Sequence, residues 1–178
     1  MMSPDQLLEC RIQPKDRPIL ALDHQIIFDA ALGRDVASLA LVEKVGALAA
    51  NGGVMILETP ETLNATRLQA NRLRKNVGDP CYLDLVESIL AKVTLVDFTS
   101  ERSPWDNELF RLGPVNILYF RLVTDHAAEL LVTNNQGLLR ANKDYLQQDP
   151  NLGRITTPAN CLQFLNTLEQ LFQLNQAV

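Results

Sequence analysis

Strand-length apolar segments alternate along this chain with helix-length amphipathic ones, and that alternation leaves few ways to fold. Pro18-Ile19-Leu20-Ala21-Leu22-Asp23 reads as a first strand, followed by strands at 54–57, 93–98, 129–133 and 154–156. Each is short and mostly apolar, as a strand covered on both faces requires. Helices fill the intervals. Residues 24–32 form one, closed by Gly33, and Asp35 caps a second with Val36, Leu39, Ala40, Val42 and Val45 as its apolar stripe. Asn51-Gly52-Gly53 stops that helix. Thr59 caps a long third helix that runs from Pro60 to about Val77, where Gly78-Asp79-Pro80 breaks it. Further helices are expected at 82–91, 115–125 and 136–147, with a last one opened by Thr157-Pro158 and carrying Cys161, Leu165, Leu168 and Phe172 on its apolar side. Alternation of this kind predicts an α/β fold, a three-layer α/β/α sandwich around a mainly parallel sheet. Residues 1–17, polar and with Pro4 and Pro14, read as an N-terminal extension to a single domain at 18–178.

Composition narrows the classes. The chain has 178 residues, 47% hydrophobic and 21% charged, enough for one domain with a sizeable core. Charge interrupts every long apolar run, so no membrane span is expected. Residues 1–13 carry Asp5, Glu9 and Arg11 and lack the pattern of a signal peptide, which predicts a cytoplasmic protein. Cys10, Cys81 and Cys161 are odd in number and far apart, and with His24 and His126 they form no zinc-binding spacing. A net charge of −5 argues against a sequence-blind nucleic-acid binder while leaving room for a local basic patch. No GxxxxGK[ST], no GxGxxG after a strand and no GxSxG is present, which sets aside the usual nucleotide folds and the α/β-hydrolases.

Ligands in open α/β sheets collect at the carboxyl ends of strands, so the strand ends hold the candidate site. Asp23 ends the first strand, where a carboxylate either holds a divalent metal or caps the following helix. Glu58 and Glu61 lie at the end of the second strand and in the helical turn beyond it, where a metal role competes with a simple preference for the helix dipole. Thr133, Asn134 and Asn135 follow the 129–133 strand, and Asn116 opens an apolar helix; caps and turns are their ordinary uses. Arg67, Asn71 and Arg74 share a helical face, with Arg72 and Lys75 nearby; they are either a solvated face or a strip of phosphate contacts. Trp105 and Tyr119 are aromatic rings on which a base could stack, or parts of the core. His24 and His126 read as surface or hydrogen-bonded residues rather than as a general base.

Three segments together resemble the PIN-domain family of metal-dependent RNA nucleases, which includes toxins of toxin–antitoxin pairs. They are Ile19-Leu20-Ala21-Leu22-Asp23, Ala128-Glu129-Leu130-Leu131-Val132-Thr133-Asn134, and Gly153-Arg154-Ile155-Thr156-Thr157-Pro158 with Phe164-Leu165. The likeness is spread over residues 18–165. It implies a cluster of acids around Mg²⁺ or Mn²⁺, with RNA as substrate and an antitoxin or other protein, or a second copy, as partner. Asp23 matches the family's first acid. The second should fall near Asn64 or Ala65, with Glu61 one turn earlier as a substitute. The third falls on Asn116 and the fourth on Asn135. An amide supplies a neutral carbonyl where hard cations gain affinity from ligand charge. The resemblance with these departures implies a PIN-like domain with a degenerate metal site, binding RNA or a protein as a pseudo-nuclease. The alternatives are a weak Mg²⁺- or Mn²⁺-dependent ribonuclease and a plain α/β interaction protein.

Overall fold

A computed structural model describes residues 17–76, 81–97, 109–125, 128–147, 149 and 151–176, without the side chains of Asn76, Cys81 and residues 172–176. The expected N-terminal extension, the Gly78-Asp79-Pro80 breaker, the 99–106 loop with Trp105, and Cys10 and His126 therefore lie outside the described residues, apart from Arg17. Five strands, β1 (Ile19–Leu22), β2 (Met55–Glu58), β3 (Val93–Leu95), β4 (Leu130–Val132) and β5 (Arg154–Thr156), form one sheet in the order β3-β2-β1-β4-β5. Every pairing is parallel. Among the described residues seven helices flank it: α1 (His24–Ala31), α2 (Val36–Ala50), α3 (Pro60–Asn76), α4 (Cys81–Leu90), α5 (Pro114–Thr124), α6 (Gln136–Ala141) and α7 (Pro158–Gln176). None of the described helices is long and apolar enough to cross a membrane.

Strand periodicity explains the layers. Successive side chains on a strand point to opposite faces. Leu20 and Leu22, Ile56, and Leu130 and Val132 join a core with α1, α2, α3, α4 and α7. Ala21, Leu57, Leu131 and Ile155 join a second core with α5 and α6. The fold is thus a three-layer α/β/α sandwich, with an entirely parallel sheet.

Several boundaries differ from the sequence reading. Glu58 is the last residue of β2 rather than the residue after it, and it is fully buried. Strand β3 stops at Leu95, with Thr94 and Leu95 exposed, because it pairs with β2 alone at this margin of the order. The helix expected at 136–147 is α-helical only to Ala141 and widens into a π-turn at Asn142–Leu146. There the buried Asn142 side chain turns aside to accept the Ile155 N–H at 2.8 Å, a local demand that helical periodicity does not reveal.

Strand order fixes where a ligand could sit. From β1 the chain steps outward to β2 and β3, then returns to the other side of β1 for β4 and β5. The connections leaving β1 and β4 therefore diverge, and a crevice opens between their carboxyl ends.

Candidate functional site

Register brings the site residues together. Leu22 stands opposite Val132, and one step further the Asp23 N–H donates to Val132 O at 2.9 Å. Asp23 and Thr133 therefore meet just past the paired strands, where the Thr133 hydroxyl donates to Asp23 Oδ2 at 2.6 Å. Asp23 also caps α1, accepting the Gln25 N–H on Oδ1 at 3.1 Å. It is 2% exposed. Asp23 is thus a helix cap whose carboxylate lies at the crevice.

Around it opens a cleft of about 240 Å³, lined by Asp23, His24, Gln25, Asn116, Asn134 and Asn135. His24 stacks on Tyr119, with ring centroids 5.9 Å apart, and its Nδ1 lies 3.3 Å from Asp23 Oδ1. That Nδ1 is buried and poorly aligned for a hydrogen bond. Tyr119 is fully buried, and its hydroxyl accepts the His24 N–H at 3.0 Å. No base can stack on a ring without exposed surface, so the stacking role considered for Tyr119 is corrected to a core and positioning role.

Glu58, the buried last residue of β2, is not among the residues lining the cleft. Its carboxyl receives the Thr62 hydroxyl on Oε2, while Oε1 is buried without a partner. Burial pushes this carboxyl up to about 8 against the opposing hydrogen bond from Thr62, and the negative charge of Asp23 adds to the rise. The carboxyl is therefore mainly neutral at pH 7. Burial, then the charges of Glu58 and Asp23, also raise the Tyr119 hydroxyl well above its ordinary range.

The two asparagines that the resemblance sets at acid positions have local duties. Asn135 caps α6, its Oδ1 accepting the N–H groups of Gly137 at 2.8 Å and Leu138 at 3.3 Å. Asn116 lies in the first turn of α5, and its Nδ2 donates to Leu112 O at 2.6 Å. Glu61 and Asn64 are exposed on α3, and neither is among the residues lining the cleft. Arg67, Arg72, Arg74 and Lys75 are exposed on the same helix, also away from the cleft lining. Arg67 and Arg74 each follow by four residues one of Leu63 and Ala70, which pack into the larger core, so they share that flank of α3. Thr62 and Thr66 are fully buried.

Thr62 and Thr66 match none of the motifs above. Their signal was a four-residue spacing that begins at the strand end, Glu58-Thr62-Thr66. It sets both hydroxyls on one flank of the α3 entrance, and Thr66 Oγ1 in turn donates to Thr62 O at 2.9 Å.

The donor set fits a hard divalent cation poorly. Among the described residues lining the cleft, Asp23 is the one carboxylate, Glu58 is mainly neutral, and Asn135 Oδ1 already accepts two backbone N–H groups. Among the described residues no group of three His, Cys, Asp or Glu side chains is arranged to hold a metal. What the cleft offers is hydrogen bonding, through amide donors and acceptors beside one carboxylate and an imidazole. No family model, no curated protein and no solved structure matches this chain.

Proposed function

We propose that this chain is a PIN-like domain with a degenerate metal site, acting in the cytoplasm as an RNA-binding pseudo-nuclease. The observation that carries the reading is the cleft between the ends of β1 and β4, where amides stand beside the carboxylate of Asp23, the one acid among the described lining residues. The resemblance implies a parallel α/β/α fold with an acid at the end of the first strand, and this chain has a parallel three-layer fold with Asp23 directly after β1. Loss of ligand charge weakens binding of Mg²⁺ or Mn²⁺ and with it the activation of water. Binding survives such a loss, because amides match the donor and acceptor edges of bases and ribose hydroxyls. The exposed arginines of α3, Arg67, Arg72 and Arg74, with Lys75, would supply phosphate contacts outside the cleft.

The test is a labelled single-stranded RNA pool incubated with the protein in Mn²⁺ and in EDTA, beside Asp23→Asn. Retention on a native gel with intact RNA on a denaturing gel is the expected result. Cleavage that requires both Mn²⁺ and Asp23 would replace this reading with an active ribonuclease. Absence of retention in every lane would overturn RNA binding altogether.

A further inference from the structure

Phe110 is a large apolar side chain left 65% exposed. It begins a single 3₁₀ turn, Phe110–Leu112, immediately before α5. Isolated apolar groups on a surface are ordinary, so exposure alone argues nothing; the anchoring of this turn does. Leu112 O holds the amide of Asn116, which lines the cleft. The Leu112 side chain packs on Gly137 so closely that a Cβ there would lie 2.6 Å from Leu112 Cδ2 and 3.1 Å from Asn135 Oδ1. Asn135 lines the cleft as well. The 3₁₀ turn is therefore fastened to the cleft wall at two points, and Phe110 lies two residues along it, a rise of about 4 Å. The guanidinium of exposed Arg111 lies 5.8 Å from the Phe110 ring centroid, within range of a cation–π contact.

The geometry points to Phe110 as a stacking platform for a base of single-stranded RNA, next to the nucleotide held in the cleft, with Arg111 beside it for the phosphate. This rests on the RNA reading above and adds a residue to it. An aromatic ring paired with a cation recognises the two parts of a nucleotide, its π-face and its anion, and does so with little regard to sequence. A protein partner would use the ring's apolar area and could pair Arg111 with a carboxylate of its own; what sets RNA apart is its need for a π-face, which Phe110→Leu removes while keeping most of the apolar area.

The test measures fluorescence anisotropy of labelled oligouridylate and of the same backbone with abasic sites, against wild type, Phe110→Ala, Phe110→Leu and Asn116→Ala. Phe110→Ala and Phe110→Leu should each weaken oligouridylate roughly ten-fold and leave abasic binding unchanged, since Leu keeps apolar area without a π-face. Asn116→Ala should weaken both ligands. If wild type binds neither ligand, the RNA reading falls and this inference with it. If wild type binds, and Phe110→Ala binds oligouridylate as tightly, the platform alone is overturned and the ring becomes a protein contact. Full affinity in Phe110→Leu overturns it too. Because the side chain is exposed, these variants should fold, and an unchanged melting temperature checks this.

Discussion

Thr133 donates its hydroxyl to the Asp23 carboxylate at 2.6 Å, joining the ends of β4 and β1 across 110 residues of sequence. The same oxygen accepts the Asn135 N–H at 2.9 Å. Thr133→Val keeps the shape and removes both bonds, leaving a buried carboxylate short of a donor. It should lower stability by about 1–3 kcal/mol, read by urea denaturation, while Thr133→Ser should stay near wild type. A Val variant as stable as wild type would deny this bond its role.

Glu58 gives stability a pH dependence. Its carboxyl is pushed up to about 8 in the fold by burial, with Asp23 adding to the rise, against 4.5 for the unperturbed group. Between those values the native state holds more protons than the unfolded one. Stability should therefore fall as pH rises from about 4.5 to about 8 and level off above, by on the order of a few kcal/mol from this group. Glu58→Gln fixes the neutral form and should flatten this decline. Urea titrations of both proteins at pH 5, 7 and 9 check it; parallel pH profiles would contradict it.

Gly153 has no room for a side chain. A Cβ there would lie 2.1 Å from Ala128 O, 3.0 Å from Val123 Cβ and 3.1 Å from Glu129 O. Backbone cannot give way as a side-chain tip does, so Gly153→Ala should destabilise by about 2 kcal/mol or more. Thermal melts would show it, and an unchanged midpoint would mean that β5 shifts freely.

Added charge should raise metal affinity. Asn116→Asp together with Asn135→Asp adds two carboxylates to the cleft that holds Asp23; Asp caps α6 as well as Asn135 does, while at 116 it gives up the amide bond to Leu112 O. Calorimetry with Mn²⁺ should show roughly ten-fold tighter binding or more than wild type. Equal affinities would show that these positions do not share a coordination sphere.

Local patterns made the sheet readable. The five strand segments are apolar runs, and caps such as Asp35 and Asn135 work over two or three residues. Asp23 and Asn135 were legible because a strand end followed by a cap is itself a local pattern. Glu58 was not, because its burial comes from what packs around the end of β2, and an acid at a strand end looks the same in sequence whether wet or dry. Phe110 was not either, since its place depends on Leu112 meeting Gly137 from a different element. The π-turn escaped for the same reason, as it answers a backbone donor on β5.

That donor has a bearing on assembly. Alternate N–H groups of a strand point to opposite sides. Arg154 N–H pairs inward with Glu129 O, and Ile155 N–H points away from β4 to Asn142. The side-chain amide thus plugs the outward donor of this margin, as a charged residue or a bulge does in other sheets. Another chain could not extend the sheet past β5 without evicting Asn142. A homodimer of this protein would have to form through helical faces or elsewhere, and the same plug guards this margin against runaway strand-on-strand aggregation.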